Sequence, residues 1–350
     1  MESSLLPALS PAPVPPPPAF AAVRTTVEIQ ATASDPAEVS DTLMAALEAA
    51  ERFVAMAMTK STLKAYRTDF AHFQNWCRAQ RLPSLPAKPA TVAAYCAAMA
   101  ESGFKISTIT RRLAAITMLH KDRGFAEPAS LRLKPVGDVI RGIRREKGSR
   151  PEQKRALNSD ELRKMVTAMP ATPHGLRDRA LLLIGFAGGF RRSELAAIDF
   201  ADVEDGDDGL TILIRRSKTD QEGEGRKIGI AYGGDPKTCP VRAYRKWIKE
   251  AQITEGPVFR HFHNQTMGTK AITDRVVALT IKKAAERVGL DAASLAGHSL
   301  RSGLATTAAR NGASEASIMK QTGHRSAAMV RRYIREGSLF HDNASTKLGL

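Results

Sequence analysis

The sequence predicts a mainly α protein: a helical bundle, then a mixed α+β, mostly helical domain that carries a small antiparallel sheet. Three observations lead there. The chain has 350 residues, and one hydrophobic core rarely grows beyond about 250, so two domains are expected. Apolar residues recur at three- and four-residue intervals through most of the chain, the period of helices with one buried face. Strand-like stretches are confined to residues 210–215 and 226–231, too few for a fold built on a sheet.

Residues 1–40 are rich in Pro and Ala, with Pro11, Pro13 and an unbroken run from Pro15 to Pro18. Such a segment has little to bury, so it is expected to be disordered or polyproline-like, serving as a spacer or as a tail for a partner. A helical domain is expected over 41–147, with four or five helices and no strand. Its first face shows Leu43, Leu47, Phe53, Val54 and Met58; its next, capped by Thr59 or Ser61, shows Leu63, Tyr66, Phe70, Phe73, Trp76 and Cys77. Beyond a turn at 82–89, helices follow over 90–102 and 107–123, closed by Gly103 and Gly124, and over 135–146. In the 107–123 helix, Ile109, Leu113, Ile116 and Leu119 make the buried face. Thr108, Arg111, Arg112 and Lys121 are left for solvent or for a DNA groove and its phosphates.

Residues 148–156, polar and containing Gly and Pro, read as an interdomain linker. Arg141, Arg144 and Arg145 precede it, and this basic stretch suits a nucleic-acid backbone as well as it suits plain solubility.

The second domain, 157–350, opens on Ser159-Asp160-Glu161-Leu162, a helix-start signal with an acidic first turn. A strongly apolar helix over 176–190 ends at Gly188-Gly189, and Arg191-Arg192-Ser193-Glu194-Leu195 starts the next element. The two strands form a hairpin across a polar loop that contains Lys218. Further helices are expected over 240–251, 273–288, 302–311 and 315–322.

Charge narrows the class of partner. Lys+Arg number 52 and Asp+Glu 36, a formal +16. Arg24 is the one basic residue in the first fifty, against six acidic ones, so residues 51–350 hold 51 basic and 30 acidic groups and a net +21. That excess favours a polyanion such as nucleic acid over a merely well-solvated surface. Cys77, Cys96 and Cys239 have neither metal-site spacing nor an even disulfide count, which fits a reducing cytoplasm and no structural zinc. The longest apolar run, 180–190, is far short of a membrane span, and Glu2 stands where a secretory signal would be basic, so a cytoplasmic protein without membrane contact is expected.

At turns and helix starts stand Arg191, Glu194, Lys218, His298, Arg301, His324 and Tyr333. Taken singly, His298 can be a helix cap, Arg301 a surface charge and Tyr333 half-buried packing. Taken together, two arginines can fork the oxygens of one phosphate, with the histidines and the tyrosine converging on it.

The boxes Gly189-Phe-Arg191-Arg-Ser-Glu194-Leu195, His298-Ser-Leu-Arg301 and Gly323-His324, with Tyr333 nine residues on, resemble those of the tyrosine recombinases, the phage integrase family. Residues 105–120 and the ending Tyr333-Ile-Arg335 look similar to its Cre branch. The resemblance spans residues 59–350. It implies a SAM-like core-binding domain, a catalytic domain, and a site-specific recombinase that works as a homotetramer on double-stranded DNA without metal, ATP or other cofactor.

It further implies that Tyr333 attacks phosphorus to leave a 3′-phosphotyrosine, and that His298 accepts the phenolic proton. Arg191, Arg301 and His324 would hold the phosphate, Lys218 would protonate the leaving oxygen, and Glu194 would orient His298 or Arg191. The tail with Leu339, Phe340, Leu348 and Leu350 would dock on a neighbouring subunit. An architectural DNA-binding protein of this fold and a type IB topoisomerase-like relaxing enzyme are the alternatives. The full polar set speaks against the first, and the small helical domain and the exchanging tail against the second.

Overall fold

The computed structural model describes residues 45–46, 48–50, 52–53, 58–148, 154–215, 217, 220, 224–337 and 348. They fall into two compact units divided between Glu152 and Gln153. The expected polyproline segment, most of the 41–57 face, part of the linker and most of the C-terminal tail lie outside the described residues.

The first unit packs α1 (Lys60–Ala79), α2 (Pro89–Glu101), α3 (Ile106–Asp122) and α4 (Lys134–Lys147). Thr59 caps α1 by accepting from the Thr62 amide, and proline starts α2, where a missing amide hydrogen does no harm. Gly103 and Gly124 follow α2 and α3 with φ of +79° and +73°, the left-handed turn that stops a helix. Phe70, Phe73, Tyr95, Met99, Ile109, Ile116 and Ile140 fill the core.

One expectation for α3 is corrected here. Arg112 is not on the outer face: it is 9% exposed. Its guanidinium lies 4.5 Å over the Phe104 ring, donates to the Met99 sulfur and stands 3.2 Å from His72 Nε2. Asp69, 2% exposed on α1, explains the inward turn. Its carboxylate lies 3.6 Å from Arg112 Nε and accepts two bonds from Arg111, at 2.7 and 2.9 Å. A buried carboxylate left without its cations would cost about 3–5 kcal/mol, so Asp69 holds Arg112 inside the bundle, while Arg111 pairs with it from the exposed face, as expected. Helical spacing could not show this, because the partner sits on another helix.

The second unit contains α5 (Ser159–Thr167), α6 (Pro173–Ala187), α7 (Arg192–Ala196), β1 (Val203–Gly206), β2 (Gly209–Ile214), β3 (Arg226–Ala231), α8 (Pro240–Glu250), β4 (Arg260–His263), β5 (Thr266–Ala271), α9 (Asp274–Arg287), α10 (Ser299–Arg310), α11 (Glu315–Thr322) and α12 (Ala327–Gly337). The cap of α5 is Asn158, one residue before the expected signal, in a reciprocal box with Glu161. Strands β1, β2 and β3 form an antiparallel meander in that order. Leu210 pairs with Ile230 and Ile212 with Ile228, so one face of the sheet is apolar and buried. Strand β1 and the β4–β5 hairpin add to the single hairpin expected from sequence. The main core also takes in Leu181, Ile184, Trp247, Phe259 and Ile281, and the buried Trp247 Nε1 donates to the Val258 carbonyl at 2.8 Å.

A smaller cluster of Ala305, Ile318, Val330 and Tyr333 joins α10, α11 and α12 apart from that core. Among the described residues no helix is long and apolar enough to cross a membrane.

Candidate active site

The second unit brings most of the expected polar residues to one place. The turn at Gly188-Gly189 ends α6, and Arg191 occupies the N-cap of α7. Helix α10 starts at Ser299 and not at 302, which puts His298 at its N-cap position and Arg301 in its first turn. Helix α11 ends at Gly323 in the left-handed conformation, and His324 follows. Tyr333 lies in α12, a helix that the sequence reading did not define.

Arg301 is no surface charge: it is 1% exposed. Its Nη1 donates to the Gly189 carbonyl at 2.7 Å, and its Nη2 is buried with no hydrogen-bond partner among the described residues. Burial, with Arg191 close by, pushes its pKa down to about 10, so it keeps its proton at neutral pH. A buried guanidinium with an unused donor is a site prepared for an anion.

Glu194, 4% exposed, accepts from Arg191 Nη1 at 2.6 Å and from the Arg191 amide at 3.0 Å. Of its two expected partners it therefore binds Arg191. A second guanidinium, Arg226 on β3, donates to the same carboxylate at 3.2 Å. The sequence reading missed Arg226, because nothing local separates it from other strand-flanking bases.

The Tyr333 hydroxyl stands 2.7 Å from His298 Nε2. Burial, then the nearby Arg301, Arg191 and Arg192, hold the His298 pKa below the usual histidine value. The neutral ring can therefore accept the phenolic proton at Nε2 with its own hydrogen on Nδ1. His324 is held down further, to about 4, by burial first and then by Arg301, Arg191, His298 and Arg226.

The tautomer of His324 follows from Thr322, which is fully buried and donates its hydroxyl hydrogen to the Ile318 carbonyl at 2.6 Å. The 2.7 Å contact between that hydroxyl and His324 Nδ1 then requires Nδ1 to be the donor. Nε2 of neutral His324 carries a lone pair. It becomes a donor only on taking a proton, which an adjoining anion favours.

This electrostatics predicts a pH response. Both rings are neutral in the fold and protonate near 6.5 when unfolded, so below that value the unfolded chain binds more protons. The histidine contribution to stability is complete above pH 6.5 and is lost as pH falls through the window toward about 4. Urea unfolding at pH 7 and pH 4.5 should show the loss, and His324→Gln should shrink it; an unchanged difference would remove His324 from the account.

Lys218 lies outside the described residues. Two neighbours that could be confused with it are engaged elsewhere: Arg215 donates to Asp202 at 2.6 Å and Lys227 to Glu204 at 3.0 Å. In the first unit Thr108 is half-buried, Lys121 pairs with Glu127 at 2.8 Å, and Arg141 pairs with Asp138. Arg144 and Arg145 are exposed on α4. Among the described residues no three His, Cys, Asp or Glu side chains are grouped to hold a metal.

The model described as "Phage integrase family" matches residues 155–338, more than half of the chain, and that of its N-terminal SAM-like domain matches residues 52–122. The chain belongs to the phage integrase family, the tyrosine recombinases. An integrase/recombinase xerD homolog of Selenomonas ruminantium is 39% identical over 306 residues, covering 85% of this chain and 88% of that protein. Tyrosine recombinase XerC of Xanthomonas axonopodis pv. citri is 28% identical over 245 residues, covering 65% of this chain and 71% of the relative.

Solved structures share the fold. A Tn1549 transposon integrase in complex with a circular intermediate DNA aligns with a TM-score of 0.60 at 15% identity, over 85% of this chain and 96% of that one. A XerH site-specific recombinase bound to palindromic difH substrate aligns with a TM-score of 0.56 at 18% identity, over 74% and 72%. These relatives are integrases and Xer-type recombinases, and they lend the narrower likeness to the Cre branch no separate support.

Proposed function

We propose that this phage integrase family member is a site-specific DNA recombinase that cleaves and rejoins double-stranded DNA through a 3′-phosphotyrosine, acting as a homotetramer on two duplexes. One observation carries the reading: a phenol 2.7 Å from an imidazole kept neutral, beside a buried guanidinium with a donor unspent.

A phenol is a weak nucleophile at neutral pH, with a pKa of about 10. His298 Nε2 takes its proton as the oxygen bonds to phosphorus. The bond from phosphorus to the 5′-oxygen breaks, and Lys218 supplies the proton to that oxygen. Arg191 and Arg301 hold the non-bridging oxygens through the five-coordinate transition state, where fixed positive groups act most strongly. His324, protonated at Nε2 as the phosphate arrives, donates a further bond. Glu194 orients Arg191. The phosphodiester energy is retained in the tyrosyl ester, so attack by a free 5′-hydroxyl restores DNA without ATP.

Arg144 and Arg145 on α4 are the first unit's readiest phosphate contacts, and Arg141 on α4 with Thr108 and Lys121 on α3 are others. Arg112 serves the bundle instead, whereas Arg111, paired with Asp69 but exposed, stays among the expected phosphate contacts. The protein works in the cytoplasm, with no membrane partner, on a recombination site of its own.

The test is a duplex nicked beside the cleavage position, so that the short fragment carrying the released 5′-hydroxyl diffuses away. The protein should form a covalent adduct with it, and the yield should persist in EDTA, because guanidinium and imidazole groups meet the phosphate charge. No adduct on any candidate site, or an adduct that requires Mg²⁺, would defeat the reading.

A further inference from the structure

Arg226 begins β3, immediately after the loop that contains Lys218. Its guanidinium bridges two segments distant in the chain. Nη2 donates to Glu194 at 3.2 Å, and Nη1 donates to the Gln321 carbonyl at 3.1 Å, three residues before His324. Gln321 adds its own ties, donating through Nε2 to the carbonyls of Ala187 and Gly229 at 2.9 and 3.0 Å.

The turn is shaped around this guanidinium. Gly323 has φ of +64°, and a Cβ there would lie 2.8–2.9 Å from the Arg226 Cζ, Nε and Nη1 atoms. Glycine at 323 thus meets two demands, a left-handed backbone and room for Arg226.

We propose that Arg226 is a positioning residue for DNA cleavage: its planar fork holds the Arg191–Glu194 pair and the Gly323–His324 turn in one geometry, keeping phosphate-binding groups from two segments in register. Glu194 is shared by two guanidinium groups. With Arg226 present, Arg191 is only partly neutralised by that carboxylate and keeps more of its field for the phosphate. A lysine at 226 would keep the charge but reach one partner at a time. The inference rests on the cleavage reading above.

Two measurements separate its fate from that reading. On the nicked duplex, Arg226→Met should lower the rate of adduct formation about a hundredfold, the scale of an ångström-sized misplacement of reacting groups, while DNA affinity moves less than about threefold, since the side chain is directed at protein partners. Arg226→Lys should recover only a small part of the rate. Gly323→Ala should reproduce the defect with the arginine intact.

In the DNA-free protein, the imidazole titration of His324, identified by its disappearance in His324→Gln, should move upward in Arg226→Met, because Arg226 is among the charges that depress it. A side chain that served only global stability would leave that titration in place and lower cleavage only in step with the unfolded fraction; that pair of results would overturn the inference. So would wild-type cleavage by Arg226→Met. If the unaltered protein forms no adduct, the recombinase reading falls, and the His324 titration alone then decides whether Arg226 governs the turn.

Discussion

Replacing Tyr333 by phenylalanine is expected to abolish covalent capture of the nicked duplex, with a loss of at least about 10⁴-fold, the order seen when a nucleophile is removed from a site that acts as a unit. The substitution is a stringent one. Tyr333 is 8% exposed and packs with Ala305, Ile318 and Val330, and phenylalanine keeps that packing while deleting only the hydroxyl bonded to His298. Fold and DNA affinity should remain close to those of the parent protein. Denaturing electrophoresis of the reaction reads the adduct directly. A Tyr333→Phe protein that still forms it would move the nucleophile to another residue and void the mechanism.

Arg301→Lys should lower cleavage by about 10³-fold with little change in DNA affinity. Removing one preorganised donor from a developing anion typically costs 10²–10³. Here two functions are lost, the bond to the Gly189 carbonyl and the unspent Nη2. A lysine has one compact charge and cannot replace a fork. It also deprotonates more readily when buried, so the variant should regain some activity as pH is lowered, opposite to the response expected from His298 as proton acceptor. Single-turnover rates from pH 6 to 9 would show it, and a rate within tenfold of the parent at pH 7 would deny Arg301 its place at the phosphate.

Much of this was legible in the chain because it depends on near neighbours. Gly103 and Gly124 end helices through their own φ angles, and the apolar spacing of α1 and α3 supplied Phe70, Phe73, Ile109 and Ile116 to the core. The strands expected at 210–215 and 226–231 are β2 and β3, paired antiparallel as the hairpin reading had them. What was not legible depends on distant partners. Arg112 turns inward because Asp69 waits on another helix, and Arg226 gains its meaning from Glu194 and the Gln321 carbonyl. Strands β4 and β5 escaped notice because only Phe262 and Met267 among their facing residues pack on the main core. Arg191, Glu194, His298, Arg301, His324 and Tyr333 could be listed from the chain as a set suited to a phosphate, but their individual roles came only from the resemblance of their boxes to a family.

The small cluster that seats Tyr333 is separate from the large core of the second unit. Arg191 and Arg301 are set on α7 and α10, where Leu195 and Leu300 belong to the large core, whereas α12 is held through a few side chains of its own. Elements with little apolar anchoring open at lower free energy than the body that carries them. Amide hydrogens of α12 should therefore exchange with solvent sooner than those of α6. On the proposed cleavage reading, a tyrosine mounted in this way is free to move with the strand it attacks, independently of the residues seated on the large core.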